Sequence, residues 1–594
     1  MLHWLDYAII GAYLVGILIL GFALERKASK GVDSYFLGDR NMPWWALGAS
    51  GMASNVDISG TMVIVALVYA LGAKGFFIEI RGGIVLVMAF FMVFMGKWMR
   101  RANVMTMAEW MKLRFGEGVE GRVARLISAV ANLVVSVWII SYFAVGGGKF
   151  FGMLTGFNDK TATFVMMAIT LAYTVASGFY GAVWTDVFQG GMILIAVLYV
   201  VFKAFGMPPL PEIFQVSVPL KEGGFTLVNH TFSEWSSIFP SATLNLPGQY
   251  SIYNLFGITI FFYLLKTSIE GFGGAGGYTS QRYFAAKSDR EAGLLSLFWI
   301  SLLSFRWPLI ASFAVLGIHL GISQGAPIQD PELVLPTVIA HYAPVGMKGL
   351  VIACFMAAAM STFSAIINAS GAYWVKDIYQ AFINPKATEK TLMRHSRWAS
   401  FLVVALGVIL SFPVVNINDI WGWITMAFGA GLFVPLLLRW YWWRYNGWGF
   451  AIGTASGAVG ALVARFAGIE IPEYMNFVLP AGAAFVGCVV GTLLTPATNS
   501  AVLENFYRVT RPFGFWKPQR LALSASEKVI IDAENKRDFI ATLFAVPWQL
   551  SLFLVGMTLV MKSWLNFGVL AIVVTALSFG LYHFWFRHLK DETK

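Results

Sequence analysis

An all-helical, polytopic membrane protein is the fold class that this sequence predicts, on three observations. The chain of 594 residues is 58% hydrophobic and 12% charged, with a mean hydropathy of +0.69, a balance that a water-soluble globular chain of this size does not need. A span through a hydrocarbon core of about 30 Å takes roughly 20 apolar residues, and about fifteen such runs can be marked along the chain. The basic residues between those runs gather on alternate connections, as they do when one side faces the cytoplasm.

Taken in order, the runs are 5–24, 43–72, 82–99, 126–148, 161–178, 187–206, 253–277, 294–320, 347–375, 399–414, 417–438, 449–467, 476–495, 543–561 and 565–586. The first carries Asp6 near its start and is followed by Glu25-Arg26-Lys27 rather than a small-residue cleavage site, so it reads as a retained span. With the amino terminus outside and the carboxyl terminus in the cytoplasm, the loops 25–42, 97–125, 281–293, 376–398, 439–448 and 496–542 and the tail lie inside. These hold roughly 31 of the 42 Lys and Arg, against about eight on the other side. The net charge of +11 is thereby that of a plasma-membrane protein, in a bacterium the inner membrane, and not the mark of a nucleic-acid partner. Cys354 and Cys488 sit inside apolar runs and offer neither a disulfide framework nor a metal site.

Among the connections, residues 207–252 form the longest outer loop. Pro208-Pro209-Leu210-Pro211 and its polar stretches predict a cap with little regular structure beyond a short helix. Asn229-His230-Thr231 matches a glycosylation acceptor, a pattern common by chance. The inner loop 496–542, with Arg511-Pro512-Phe513-Gly514-Phe515-Trp516-Lys517, mixes basic and aromatic residues as a lipid-contacting segment does. Trp440-Tyr441-Trp442-Trp443 between Arg439 and Arg444 reads as a belt at headgroup level.

Two runs are unsuited to lipid. Residues 43–72 contain Gly48-Ala49-Ser50-Gly51-Met52-Ala53-Ser54-Asn55-Val56-Asp57-Ile58-Ser59-Gly60-Thr61, and residues 253–277 contain Glu270-Gly271-Phe272-Gly273-Gly274-Ala275-Gly276-Gly277. Backbone inside hydrocarbon must be paired, so an irregular stretch is tolerated only where it is buried or lines a cavity. These are the second and seventh runs, five apart. Transporters built from inverted five-helix repeats place interrupted helices at corresponding positions, with solute and ion between them. Close helix packing through small residues is the competing explanation, but the polar and charged neighbours of the glycines favour a break. The expected division is a first span and loop (1–42), a first repeat (43–206, spans 2–6), the outer loop (207–252), a second repeat (253–438, spans 7–11) and four further spans (439–594).

Several stretches resemble the sodium:solute symporter family. They are Ser34-Tyr35-Phe36-Leu37-Gly38-Asp39-Arg40-Asn41-Met42-Pro43-Trp44-Trp45 with Ala53-Ser54-Asn55, Val183-Trp184-Thr185-Asp186-Val187-Phe188-Gln189, Gln281-Arg282-Tyr283-Phe284-Ala285-Ala286-Lys287, and Ala357-Ala358-Ala359-Met360-Ser361-Thr362-Phe363-Ser364 with Asp377-Ile378-Tyr379. The resemblance implies a leucine-transporter-like fold and sodium-driven uptake of a small organic solute by alternating access. It implies that Na+ is held by the carbonyls of Ala53, Val56 and Ala358 and the hydroxyls of Ser361 and Thr362. Broken helices free carbonyls for a hard cation, although mid-span Ser and Thr more often bond back to their own helix. Some members have a second sodium site, to which Asp186, Ser361 and Ser364 correspond. Ala365 stands where those members offer another hydroxyl, and Asp186 has an ion pair with a basic residue as its alternative role.

At Asp57, next to Val56, the family usually has a neutral residue. A carboxylate at mid-membrane costs about 2.5 to 3.5 kcal/mol on insertion scales and so demands a partner. Lys266, four residues before Glu270 on one helix face, is the internal candidate. If these charges close on one another, the cavity suits a neutral polyhydroxy solute, with Phe272 and Trp421 as stacking faces, Asn55 beside it, and Phe272 resembling the aromatic inner gate of sugar-carrying members. If Asp57 meets a solute ammonium and Lys266 a carboxylate, the cavity suits an amino acid, and a sugar acid could also use Lys266. The sugar reading is the one adopted.

Other classes find less support. The seven histidines are scattered without metal-ligand spacing, which argues against a membrane enzyme. No repeated filter motif suggests a channel, and nothing resembles the output domain of a sensor. The partners expected are the solute, sodium and the bilayer; the sequence does not specify an oligomeric state.

Overall fold

The computed structural model describes residues 2–28, 36–274, 276–414, 416–466 and 472–589; Ser34 and Tyr35 of the family-like run, Ala275 of the glycine-rich stretch and the end of the twelfth run at 467 lie outside them. The apolar runs fall on helices. Helix α1 (Trp4–Ala28) is tied at its start to the middle of the chain, where the Asp6 carboxylate accepts from the backbone of Gly346 (2.7 Å) and Gly349 (2.9 Å). The second run is two helices, α2 (Trp44–Ala53) and α3 (Ile58–Leu71), bent by 62° at their junction. Residues 87–101 follow as one helical run with a π turn at Phe91–Met95.

Beyond α4 (Met107–Phe115), α5 (Val119–Thr155) and α6 (Asp159–Phe205) make up the rest of the first half. A straight helix of 47 residues would be about 70 Å long at 1.5 Å per residue, more than twice a hydrocarbon core. The start of α6 packs on the end of α5, where Thr163 donates to the Ala144 carbonyl, and its end meets Lys562 and Trp564 beside the long loop. This helix takes in the fifth and sixth apolar stretches, 161–178 and 187–206.

The second half contains α7 (Phe256–Gly273), α8 (Gly277–Phe284), α9 (Asp289–Leu303), α10 (Arg306–Gln324), α11 (Met347–Ala372, continued by a π-helical stretch to Ile383), α12 (Glu389–Ser411) and α13 (Ile417–Tyr441). Then come α14 (Gly447–Phe466), α15 (Met475–Leu493), α16 (Ser500–Thr510), α17 (Ala525–Val560) and α18 (Trp564–Phe584). Among the described residues ten helices are long and apolar enough to cross a membrane, eleven if the bent pair α2–α3 counts as one. The sequence count of about fifteen also takes in shorter or interrupted runs, such as the apolar stretch Trp4–Leu20 of α1.

Two expectations need correction. Residues 207–252 contain an antiparallel hairpin, β1 (Ile213–Pro219) with β2 (Phe225–Thr231), besides the short helix Phe232–Trp235. Its cause is local: Phe214, Val216 and Val218 alternate onto a buried face, and Gly223 and Gly224 turn the chain at positive φ. The hairpin docks on the end of α3, where His230 Nε2 lies 2.8 Å from the Ala70 carbonyl and Trp235 Nε1 donates to that of Tyr69.

The aromatic run at the end of α13 is likewise no headgroup belt at its start, because Arg439 and Trp440 are wholly buried. Arg439 lies over Trp110 (4.2 Å), and Trp516 of the inner loop donates to the Trp440 carbonyl (2.8 Å), so part of that loop is core rather than lipid contact. Phe515, beside it, is exposed as expected of a lipid-facing residue.

Candidate functional site

A cavity of about 260 Å³ lies between the two broken helices. Its walls come from the α2–α3 junction (Asn55), α5 (Asn132, Ser136), α7 (Lys266, Thr267, Glu270), α8 (Tyr278) and α13 (Trp421, Thr425, Phe433), with Phe450 and Thr454 of α14. Apolar walls with a few convergent amides, hydroxyls and one charge pair are the make-up of a small-molecule site. Asn55 is fixed by donating to the Tyr278 hydroxyl (3.1 Å) and accepting from Trp299 Nε1 (2.8 Å).

Of the predicted solute residues, Asn55, Lys266, Glu270 and Trp421 line this cavity, whereas Asp57 and Phe272 do not. Lys266 donates to Glu270 (2.9 Å) and to the Arg81 carbonyl (2.7 Å), and its ammonium stands 4.9 Å over the Phe433 ring. Phe272 packs instead among Phe90, Phe94, Phe513 and Tyr441, with ring centroids 5.0 to 6.2 Å apart.

Asp57 also has a different partner from the one expected. Its side chain caps α3 by accepting from the Gly60 amide, and its carbonyl accepts from Thr61. A Cβ on Gly60 would meet Asp57 Oδ2 at 2.8 Å, Tyr142 Oη at 2.9 Å and Arg306 Nη2 at 3.1 Å, so all three converge on that glycine. The cation beside Asp57 is therefore Arg306, not Lys266. Arg306 is buried and also donates to the Gly83 carbonyl (3.3 Å). A charged residue inside the eighth apolar run was a visible signal, since an ionisable group at that depth has to be paired.

The same cap explains the break. In a continuous helix the Gly60 amide would donate to the Val56 carbonyl; here it donates to the Asp57 side chain, which releases that carbonyl. The amides of Ser54 and Asn55 still bond backward into α2, to Ser50 (3.0 Å) and Met52 (2.9 Å), and Ala53 ends that helix. Opposite stands α11, brought close by the 3.3 Å approach of Ser361 Oγ to Ser54 Oγ. On α11 Thr362 donates to the Ala358 carbonyl (3.0 Å) and Ser364 to that of Ser361 (3.0 Å). Back-bonding of this kind uses the hydroxyl proton and leaves oxygen lone pairs free. Asp186, buried in α6, accepts from Ser50 and lies 3.6 Å from Arg282 Nη2, the ion pair that was its alternative role.

The second break is treated differently. Gly274 adopts φ +78°, a conformation open to glycine, and the carbonyls exposed there are taken by fixed donors from the end of α13. Trp440 Nε1 donates to Gly273 (2.9 Å), Arg439 to the same carbonyl (3.4 Å) and the Tyr441 hydroxyl to Phe272 (2.8 Å).

On the hairpin side the cavity is roofed by a buried network that sequence reasoning passed over. Arg81 pairs with Glu79 (2.9 Å), donates to the Tyr253 hydroxyl (3.1 Å) and to Asn418, and lies 3.9 Å from Glu473. Trp421 Nε1 donates to Glu79 (3.2 Å), and its ring stacks on Tyr142 at 5.0 Å. The signal was Glu79-Ile80-Arg81, two opposite charges in an apolar stretch. Glu332, paired with Lys149, accepts from the amides of Ile417 (3.0 Å) and Asn418 (3.2 Å) and so anchors the start of α13.

The model of the sodium:solute symporter family matches residues 35–457. Sodium/glucose cotransporter 4 of Danio rerio is 28% identical over 486 residues, which cover 76% of this chain and 71% of that protein. The chain spans 61% and 62% of the length of the Mus musculus and Homo sapiens proteins of the same name. The high-affinity proline transporter PutP of Bacillus subtilis (strain 168) is 24% identical over 516 residues, 82% of this chain and 98% of its own. Among solved structures, a Na+-coupled sialic acid symporter in a substrate-bound outward-open state is similar in fold, with a TM-score of 0.65 and 18% identity over 83% of this chain and 98% of that one.

Proposed function

The chain belongs to the sodium:solute symporter family, a membrane transporter and not an enzyme, and from this premise we propose that it imports a neutral sugar or sugar derivative together with Na+. The observation that carries the choice of solute is the closed pair Lys266–Glu270 on the cavity wall, with the third charge, Asp57, turned away toward Arg306. A cavity whose charges are internally matched favours a solute without net charge. Other polar groups of the wall, among them Asn55, Asn132, Ser136, Thr267 and Thr425, are hydroxyl partners, and Trp421 offers an aromatic face. The names of relatives that carry glucose agree with this; the name of the proline transporter supports the second reading, an amino acid, for which Lys266 and Glu270 would separate to meet carboxylate and ammonium.

In this proposal sodium binds between the released carbonyls of Ala53 and Val56 and the Ala358 carbonyl, Ser361 and Thr362 of α11. The segments 43–206 and 253–438 act as inverted repeats whose broken spans face each other across the cavity. The roof of Glu79, Arg81, Tyr253, Asn418 and Trp421 is the barrier that opens to admit solute from the hairpin side, which is outside the cell. The amino terminus is then outside and the carboxyl terminus cytoplasmic, in a plasma membrane.

Uptake of labelled sugars, uronates and amino acids into proteoliposomes, with and without an inward sodium gradient, tests this. Sodium-dependent accumulation of a neutral sugar is the expected result; accumulation of an amino acid alone would replace it by the second reading.

A further inference from the structure

The helices α14 and α15 lie outside both proposed repeats, yet Glu473, two residues before α15, reaches into the roof of the cavity. It is buried, and its Oε1 accepts from the Tyr263 hydroxyl of α7 (3.1 Å) and lies 3.9 Å from Arg81 Nη1. Its Oε2 accepts from Asn476 Nδ2 of α15 (3.2 Å), which fixes the carboxylate to that helix. Tyr474 beside it stacks on Phe262 of α7, with ring centroids 5.5 Å apart and planes 17° from parallel. Gly422 of α13 makes room for the meeting: a Cβ there would stand 3.2 Å from Arg81 Nη1 and 3.6 Å from Glu473 Oε1.

Arg81 thus has two carboxylate neighbours of different kinds. Glu79 is two residues away on the same turn and moves with it, so their 2.9 Å pair persists whether the roof is open or shut. That turn is also joined to α7, since Lys266 donates to the Arg81 carbonyl (2.7 Å) and Thr267 to that of Ile80 (2.8 Å). Glu473 belongs to neither the turn nor α7. A contact holds a gate shut only if opening breaks it. Of the two carboxylates, Glu473 alone meets that condition when the turn and α7 swing away from α15.

We propose that Glu473 is the latch of the roof: it holds Arg81 and Tyr263 against the start of α15 while the cavity is closed to the hairpin side, so that α14 and α15 take part in gating. The inference rests on reading the roof as the outer barrier. Removing the charge of Glu473 then favours the state open to the hairpin side without loosening the inner side.

Labelling of Thr425→Cys in oriented proteoliposomes tests this, because Thr425 lines the cavity one turn below Trp421 and both native cysteines are buried. A cationic and an anionic membrane-impermeant methanethiosulfonate are applied to each side in turn. Adding Glu473→Gln is expected to raise the rate from the hairpin side about fivefold for both reagents, with no rise from the inner side. An unchanged rate from the hairpin side overturns the proposal. So does a rise on both sides, which marks a loosened fold, or a rise for the anionic reagent alone, which marks local charge. Should Glu473→Gln fail to fold, Tyr263→Phe, which deletes only the hydroxyl bond to the same carboxylate, decides by the same rates, with a rise of about twofold expected. If Thr425→Cys with Glu473 intact is never labelled from the hairpin side, with or without sodium, it is the outer-barrier reading that falls.

Discussion

Thr362 donates its proton to Ala358 and keeps its lone pairs free, and valine matches it in shape. Thr362→Val is expected to raise the sodium concentration for half-maximal uptake about tenfold, or ~1.4 kcal/mol, while uptake at saturating sodium stays near wild type. Initial rates across a sodium series check this, and an unchanged half-saturation would remove Thr362 from the ion shell. Glu270→Gln leaves Lys266 charged beside the cavity without its carboxylate. Uptake of the neutral solute should fall several-fold while inhibition by a uronate of the same sugar strengthens, which a competition assay reads directly. Asp57→Asn preserves the helix cap but removes the carboxylate charge beside Arg306. Thermal unfolding should show Asp57→Asn and Arg306→Gln each strongly destabilising and the double variant less so than their sum. At this scale the sequence reached Lys266 and Glu270 because they lie four apart on one helix. It missed the true neighbour of Asp57 because Arg306 is some 250 residues away and only packing of α10 on α3 brings it there.

Among elements, the two breaks were legible as clusters of glycine and polar residues, since hydrocarbon tolerates neither in a plain helix. Their unlike fates were not. The donors that close the second break come from the far end of α13, in a run of tryptophan and tyrosine that composition alone assigns to the headgroups. Tyr441→Phe deletes only the bond to the Phe272 carbonyl and should cost about 1 kcal/mol, or a few degrees in melting temperature, without altering sodium affinity. A comparable loss of sodium affinity would mean that the breaks are coupled through this contact. The β hairpin was missed for another reason: its alternation is short, and the proline cluster before it points to irregular structure.

For the whole molecule, hydropathy and the distribution of Lys and Arg carried the multi-span class, and the family motifs carried the fold. The seating of the hairpin cap had no such signal. His230 links that cap to α3, and burial holds its imidazole below the usual range, so it is neutral in the docked state. Because the folded pKa is depressed, this contribution is complete above the ordinary imidazole value of about 6.5 and is lost as pH falls below it toward the lower folded value. Hydrogen exchange in β1 and β2 should therefore quicken between neutral and mildly acidic pH, and His230→Gln should flatten that dependence. The contrast between the two breaks also sets the mechanics of the transporter. At one junction the carbonyls are taken by Arg439, Trp440 and Tyr441; at the other the side chains of Asn55 and Asp57 are bonded, but the Asp57 cap draws the Gly60 amide away from the Val56 carbonyl. The first can transmit force as a rod, whereas the second, under the proposed sodium site, would flex like a knee that the ion stiffens. Spin-label distances should thus change with sodium across residues 53–58 and stay constant between α7 and the end of α13.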